Sequence, residues 1–224
     1  MVKSKLTFID LGEKPYRSVW SFQKYLFDKL IVLKKQDIVI DNEYIIFVEH
    51  QPVFTIGKHG KQNNMLFNKK QLEEKGAEFI HIERGGDVTF HGPGQLVVYP
   101  IIDLSKHKLG VKNYVELLEE CVIQLLQKYN IKGERVNGAT GVWIDKGMPN
   151  ERKICAIGVK CSYFVSMHGF ALNVNTDLNW FSAINPCGFI DKGVTSLEKE
   201  LGHKVDIIEL KEKTAEIISS LLNK

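Results

Sequence analysis

Residues 153–174 read KICAIGVKCSYFVSMHGFALNV and contain two apolar runs with β-branched and aromatic side chains. Runs of this length and composition are typical of β-strands. In the second run, Phe170, Leu172 and Val174 alternate with other residues, so their side chains are expected on one face of a strand. We therefore predict strands at residues 153–159 and 168–174, at a β-rich centre of the fold.

The other predicted elements lie on both sides of this centre. We predict strands at residues 6–11, 44–48, 79–82, 96–102 and 141–145. One helix is predicted to open at Pro15, and three further helices are predicted at residues 68–75, 114–129 and 206–222. Pro100 lacks an N–H, so we expect it at the end of its strand or at a sheet edge. Because helices and strands do not alternate regularly, the order predicts an α+β fold with a mixed β-sheet flanked by helices. Nothing marks a domain boundary, and we expect a single domain over residues 1–224.

Composition excludes several classes of protein. The 224 residues carry a net charge of +3 and are 44% hydrophobic, which excludes a disordered, collagen-like or fibrous chain. No apolar run approaches the ~18 residues of a membrane span, and the first residues do not resemble a signal peptide, so we expect a cytoplasmic protein. The charge is too weak and scattered to indicate nucleic-acid binding. The basic clusters at residues 58–61 and 106–108 are either solvated loops or contacts for an acidic partner protein.

Four cysteines are present, and their spacing does not indicate a metal site. Cys121, Cys155, Cys161 and Cys187 form no CxxC pair and have no histidine at zinc-finger spacing. We interpret them as free thiols. Cys121 belongs to the apolar stripe of the helix predicted at residues 114–129, which indicates a buried side chain.

The glycine-rich stretch at residues 84–95, RGGDVTFHGPGQ, is the first candidate for a functional site. Glycines let backbone N–H groups approach a ligand oxygen, and Arg84 and His91 add charge and hydrogen bonds nearby. Such a loop suits a phosphate, a carboxylate or a polarised carbonyl, although it matches no nucleotide-binding motif. The alternative interpretation is a β-hairpin with a bulge.

Cys187 is the second candidate, because it lies in the turn-forming sequence NPCG at residues 185–188. A thiol on a turn is accessible, but it needs an activating group because an unperturbed thiol is mostly protonated at neutral pH. His91, His168 and Lys153 are the candidate activators. The alternatives are an inert cysteine and, for Lys153, a strand-edge lysine whose ammonium simply reaches water.

Asn173 and Asn175 form a third candidate feature at the end of the second run. They are two residues apart, so in a strand their side chains point to one face. They are expected either to fix backbone carbonyls or to orient a ligand. The alternative is a strand with a polar edge.

Six sequence blocks taken together are similar to the octanoyltransferases of lipoate biosynthesis. They are EHQPVFTIG at residues 49–57, the stretch 84–95 continuing to Tyr99 and Pro100, KICAIGV at 153–159, HGFALNVN at 168–175, NPCG at 185–188 and VTSL at 194–197. The blocks occur in the order of that family and extend over residues 49–197. The resemblance implies the biotin/lipoate ligase-like fold and an enzyme that moves an octanoyl group from acyl carrier protein to a lysine of a lipoyl domain.

The same resemblance implies roles for individual residues. Cys187 would carry the acyl thioester, Lys153 would tune it, and His91 would be a pocket residue and not a general base. The implied substrate-binding residues are Arg84, Gly85, Gly86, Asp87, Val88, Thr89, Phe90, His91, Ala156, Ile157, Gly158, Gly169, Phe170 and Ala171. The resemblance implies no cofactor and no metal. The implied acceptors are lipoyl domains of 2-oxoacid dehydrogenase complexes and the glycine cleavage H protein.

Two other functions stay open from the sequence. An ATP-dependent lipoate or biotin ligase shares the fold and has a glycine-rich loop and a strand lysine, but it does not need a cysteine in a PCG turn. A binding module without catalysis is the second alternative. The loops at residues 146–152 and 189–193 depart from the family pattern, which affects the expected fit of partners more than the expected reaction.

Overall fold

The structure is a computed structural model that describes residues 5–60, 62–184 and 193–223. Cys187 and the rest of the predicted NPCG turn lie outside the described residues. In chain order the strands are β1 (Lys5–Lys14), β2 (Asn42–His50), β3 (Val53–Ile56), β4 (Glu78–His81), β5 (Val88–His91), β6 (Gln95–Ile101), β7 (Glu134–Val136), β8 (Ala139–Ile144), β9 (Arg152–Ser162), β10 (Val165–Asn173) and β11 (Gly193–Val194).

These strands form two mixed sheets. The large sheet has the order β1-β2-β6-β10-β9-β8-β7, with β11 paired to β9, and the small sheet has the order β4-β3-β5. The pairs β1–β2, β9–β11 and β3–β4 are parallel, and the other pairs are antiparallel. The predicted α+β class with a mixed sheet is confirmed, and a second sheet is added to it.

Helices cover both faces of the large sheet, and one helix packs against the small sheet. The helices are α1 (Tyr16–Lys35), α2 (Lys69–Glu74), α3 (Val111–Gln127), α4 (Leu197–Leu201) and α5 (Ile207–Leu222). Helix α2 packs against the small sheet through Leu72. Helix α1 packs through Leu26 and Leu30 onto one face, where Val97 and Ala171 are buried. Helices α3 and α5 pack onto the opposite face, which carries Phe170, Leu172 and Val174 as the alternation predicts. In the described ranges, no helix combines the length and hydrophobicity needed to cross a membrane.

Local sequence signals explain where several elements begin and end. Asn68 caps α2 by accepting a hydrogen bond from the Gln71 N–H at 3.0 Å, and Gly76 follows the helix with φ +74°. Asp206 caps α5 by accepting from the Ile208 N–H at 2.8 Å, as predicted. Pro15 is the cap residue of α1 and so precedes its first turn by one position.

One expectation from the sequence is met and one alternative is wrong. Pro100 lies one residue before the end of β6, which was one of its two expected positions, and β6 is not an edge strand because it lies between β2 and β10. Residues 84–95 do not form a hairpin, because β5 belongs to the small sheet and β6 to the large one. The turn between His91 and Gln95 therefore carries the chain from one sheet to the other.

Candidate active site

A cavity of about 380 Å³ lies where the small sheet and the loop before β5 face the large sheet. Its floor consists of neighbouring parts of β6, β10 and β9, and β5 forms a wall. The walls are mixed in chemistry: Val97 and Ala171 are apolar, whereas Tyr99 and Asn173 are polar and buried. A volume of this size is in the range of small-molecule sites.

The structure brings most of the predicted site residues together around this cavity. The residues that line it are Arg84, Gly86, Asp87, Val88, Thr89, His91, Lys153, Ala156, Ile157, Gly158, Gly169, Phe170 and Ala171. Two predicted residues are not part of the lining. The Phe90 ring packs into an apolar cluster, stacked on Trp180 with 5.2 Å between ring centroids. The Gly85 N–H donates to the Val159 carbonyl at 2.9 Å, so this residue anchors the loop to β9.

The loop at Arg84–Gly86 can approach the sheets closely because glycines face it. A Cβ at Gly158 would lie 2.8 Å from the Gly85 oxygen, and a Cβ at Gly57 would lie 2.5 Å from the Gly86 oxygen. Side chains there would push the loop away from β9 and from β3. Gly86 itself has φ +86°, a conformation that favours glycine.

Arg84 braces this loop from inside. Its guanidinium donates from Nη2 to the Thr55 carbonyl at 2.7 Å and to the Thr55 hydroxyl at 2.9 Å, and from Nη1 to the Gly85 carbonyl at 3.0 Å. The side chain is buried and still lines the cavity. It therefore places a positive charge at the cavity wall and also fixes the loop that forms this wall.

A chain of buried hydrogen bonds crosses the floor from the small sheet to the strand of Lys153. His91 Nε2 is 3.4 Å from the Thr55 hydroxyl, and His91 Nδ1 is 2.8 Å from Gln95 Oε1. The Gln95 amide donates to Asn173 Oδ1 at 2.9 Å. The Asn173 amide donates to the Thr195 carbonyl at 3.0 Å, and the Thr195 N–H donates to the Lys153 carbonyl at 2.9 Å.

The partners of His91 determine its chemical state. Gln95 Oε1 is an acceptor, so Nδ1 carries the proton, and Nε2 accepts from the Thr55 hydroxyl. Burial, together with the nearby His50 and Arg84, lowers the pKa of His91 well below its usual range. The ring is therefore neutral with both nitrogens engaged, which agrees with a pocket residue and not with a general base.

Lys153 lies at the end of the cavity next to β11 and β8. Its ammonium donates to the Thr140 carbonyl at 3.1 Å and lies 4.6 Å from the centroid of the Trp143 ring. In the β8–β9 ladder, Val142 pairs with Cys155 and Trp143 with Lys153, so Ile154 is an extra, bulged residue. Bulges redirect side chains at functional sites. The alternative in which Lys153 only reaches water does not describe this geometry.

The other cysteines of the described ranges are free thiols, as predicted, but they are poor nucleophiles. Cys121 and Cys155 are fully buried, and Cys161 is partly exposed. Burial raises the pKa of Cys121 to about 12, raises that of Cys155 well above its usual range, and raises that of Cys161. A buried thiol with a raised pKa forms little thiolate at neutral pH.

Asn173 and Asn175 both fix backbone groups, which was one of the two roles expected for them. Besides the Asn173 contacts above, the Asn175 amide donates to the Val205 carbonyl at 2.8 Å. Its oxygen accepts from the Val205 N–H at 2.9 Å. Asn173 also lines the cavity, whereas Asn175 connects the end of β10 to the chain before α5.

His168 and Asn173, which the sequence offered as candidates, also line the cavity. Several other lining residues were not singled out by the sequence: Tyr16, Gln95, Val97, Tyr99, Gly138, Ala139, Thr140, Phe181 and Val194. One group had a recognisable signal. Gln95, Val97 and Tyr99 alternate along β6, so they share the face of the strand that lines the cavity. Phe181 had no such signal, because it lies in a short 3₁₀ segment, Leu178–Ala183, that only tertiary packing places here.

Solved structures with low sequence identity share this fold. A bipartite lipoate protein ligase from Thermoplasma acidophilum has a TM-score of 0.70 at 18% identity, over 100% of this chain and 85% of that chain. The biotin protein ligase from Aquifex aeolicus has a TM-score of 0.51 at 15% identity, over 100% of this chain and 70% of that chain. The predicted biotin/lipoate ligase-like fold is confirmed.

Sequence relatives identify the family. An octanoyltransferase from Bacteroides fragilis is 53% identical over 94% of this chain and 95% of its own length. Another from Flavobacterium johnsoniae is 48% identical over 98% of this chain and 97% of its own length. The family model of the lipoyl protein ligase A/B catalytic domain matches residues 15–219. The chain therefore belongs to the lipoyl protein ligase A/B family and, within it, to the octanoyltransferases.

Proposed function

We propose that this chain transfers an octanoyl group from octanoyl-acyl carrier protein, through a thioester on Cys187, to a lysine of lipoyl domains. Membership of the octanoyltransferases makes the chain an acyltransferase of protein lipoylation. To this family membership the proposal adds the acyl donor, the thioester intermediate and the roles of Cys187 and Lys153. It also treats residues 1–224 as one catalytic domain. The cytoplasm as its compartment stays a prediction.

The observation that carries the proposal is the position of Lys153. Its ammonium is held by the Thr140 carbonyl at the cavity end, and the backbone of Lys153 pairs with Val194 of β11. Strand β11 begins six residues after Cys187 in the chain. A cation at this end of an acyl-sized cavity is suited to stabilise a thiolate.

The first step exchanges one thioester for another. The Cys187 thiolate attacks the octanoyl carbonyl, a carbon–sulfur bond forms to Cys187, and the bond to the carrier thiol breaks. The leaving thiolate takes up a proton. Because both sides are thioesters, no ATP is needed to load the enzyme.

The second step forms an amide. The amine of the acceptor lysine attacks the Cys187 thioester, a carbon–nitrogen bond forms, and the carbon–sulfur bond breaks to regenerate Cys187. Lys153 in its neutral form would accept the proton that the amine loses. The step is favourable because an amide is more stable than a thioester. Covalent catalysis thus replaces one encounter of two carrier proteins by two simpler ones.

For the acceptors, we propose the lipoyl domains of 2-oxoacid dehydrogenase complexes and the glycine cleavage H protein. The relatives in the lipoylation family support a lipoyl-domain acceptor in general. No cofactor enters either step as written.

An ATP-dependent ligase is the second candidate, because lipoate and biotin ligases share the fold. The two candidates differ in the donor. Incubation of the enzyme with octanoyl-acyl carrier protein and an apo lipoyl domain, without ATP, should give an octanoylated lipoyl domain by intact-mass spectrometry. Free octanoate with Mg-ATP should give none. Product from octanoate and ATP only would establish the ligase and reject our proposal.

A further inference from the structure

His168 has an unusual backbone for a residue inside a strand. It lies in β10, paired with Val159 of β9, and yet its φ is +62°. A residue with a side chain is rarely held in the left-handed region, and such strain is often associated with function. The Gln23 side chain of α1 holds this conformation, because its oxygen accepts a hydrogen bond from the His168 N–H at 3.2 Å.

The imidazole of His168 is buried and lines the cavity. The residue is 1% exposed, and neither ring nitrogen has a hydrogen-bond partner among the described residues. The Tyr99 ring meets it edge-on, with 6.3 Å between centroids. Burial lowers its pKa to about 3, so the ring is neutral. A buried polar group without a partner destabilises the fold, so the packing of the protein alone does not account for this side chain.

The strand register places His168 at the end of the cavity opposite Lys153. Along β9 the lining residues run from Lys153 to Gly158, and His168 pairs with the next residue, Val159. Five residues of strand span about 17 Å. The seven carbon–carbon bonds of an extended octanoyl chain, counted from its carbonyl carbon, span only about 9 Å, because bonds of ~1.5 Å form a zigzag. The sulfur beside Lys153, the terminal methyl group and the thickness of the side chains at the two ends take up the rest.

Charged side chains lie close to the same end. Glu83 and Lys160 form an ion pair with an N–O distance of 3.0 Å. Both affect the pKa of His168 through their charges. The Lys160 ammonium also lies 5.1 Å from the centroid of the Phe27 ring of α1. A longer apolar chain would therefore meet a polar ring and then a charged pair.

We propose that His168 ends the acyl-binding cavity and determines the length of the acyl chain that the enzyme accepts; this inference rests on the proposed function. Apolar walls alone would favour longer chains, because each buried methylene contributes ~0.8 kcal/mol. The His168 ring opposes this trend, because it occupies the space at the end of the cavity that further methylenes would need. His168 thus acts as a specificity residue and takes no part in bond making.

The test compares acyl chain lengths on the intact enzyme and on two glycine variants. His168→Gly removes the ring and suits the φ of +62°. Tyr163→Gly is the matched control, because Tyr163 has φ +50° in the turn of the same hairpin, is 56% exposed and does not line the cavity. The measurement is the initial rate of acyl-enzyme formation with octanoyl-, decanoyl- and dodecanoyl-acyl carrier protein, followed by intact-mass spectrometry.

We expect the unmodified enzyme to react fastest with the octanoyl donor. His168→Gly should raise the decanoyl-to-octanoyl rate ratio about tenfold, since two further methylenes can be buried. Tyr163→Gly should leave the ratio unchanged. Asparagine is shorter than histidine and tolerates the left-handed backbone conformation, so His168→Asn should also raise the decanoyl-to-octanoyl rate ratio. If His168→Gly does not fold, the ratio measured for His168→Asn tests the inference.

Two results would overturn the inference while the proposed function stands. One is an unchanged ratio in a folded His168 variant, and the other is an equal shift in Tyr163→Gly. If the unmodified enzyme forms no acyl-enzyme with any donor, the proposed function itself is rejected, and the inference falls with it.

Discussion

At the scale of single residues, Lys153 is the group on which the proposed chemistry depends most. Its ammonium is fixed at the cavity end by the Thr140 carbonyl and the Trp143 ring. If it stabilises the Cys187 thiolate, Lys153→Ala should raise the pKa of that thiol by about one unit, because a neighbouring positive charge favours the thiolate. The pH dependence of Cys187 alkylation, followed by peptide mass spectrometry, measures this shift.

Lys153→Arg is the informative companion variant. It keeps the positive charge and should retain part of the shift, but it should fail in acyl transfer because a guanidinium does not lose a proton near neutral pH. His91→Ala should leave the alkylation profile nearly unchanged, since both nitrogens of His91 are already engaged. A profile that moves with His91 or His168 and ignores Lys153 would establish a Cys–His pair instead.

At the scale of elements, His107 connects the end of α5 to the large sheet. Its Nε2 is 2.9 Å from Glu43 Oε2, and its Nδ1 is 3.0 Å from the Leu222 carbonyl. Both partners are acceptors, so only the protonated ring can donate to both. Burial opposes the charge, but the Glu43 hydrogen bond and charge outweigh it and raise the pKa of His107 above 6.5. This basic residue therefore serves an internal contact, not a partner protein.

The raised pKa predicts how stability depends on pH. The stabilisation by His107 is fully present below the unfolded-state pKa of about 6.5 and is lost as the pH rises through the folded-state pKa. His107→Gln, which cannot titrate, should therefore lower the free energy of unfolding by about 1 kcal/mol at pH 5.5 and by less at pH 8.5. Urea denaturation across this range measures the difference.

The control for this prediction is His203→Gln, because His203 is an exposed histidine near α5. It should show no such pH dependence. Burial lowers the pKa of His50 to about 4, so His50 destabilises the fold as the pH falls below 6.5. This effect is the same in the unmodified protein, in His107→Gln and in His203→Gln, so it cancels in the comparison. A difference between the unmodified protein and His107→Gln that stays constant from pH 5.5 to 8.5 would contradict our account.

At the scale of the whole molecule, local patterns predict the elements better than their arrangement. Alternation of Phe170, Leu172 and Val174 predicts both a strand and its buried face, and the capping residue Asp206 predicts the start of α5. The separate small sheet could not be predicted, because the pairing of β3 with β4 and β5 depends on contacts that no local pattern encodes. The left-handed backbone of His168 also has no sequence signal.

For the candidate site too, the sequence predicts the local motifs better than the contacts between them. The glycine-rich loop, Lys153 and the strands at 156–158 and 169–171 are recognisable because they are contiguous motifs. Gln95 and Asn173 lie in the same motifs, but their role as links in a hydrogen-bond chain depends on the β6–β10 register, in which they are paired. Cys187 lies outside the described residues, and its role stays a prediction.

The most direct test of the central claim is the location of the acyl group on the enzyme. The enzyme would be incubated with octanoyl-acyl carrier protein without ATP or acceptor, quenched in acid and digested, and the peptides would be analysed by mass spectrometry. We predict one octanoyl group on the peptide containing Cys187, removed by hydroxylamine as a thioester is, and absent in Cys187→Ala. An octanoyl group on Cys121, Cys155 or Cys161, or no acylation unless ATP is added, would contradict the proposed mechanism.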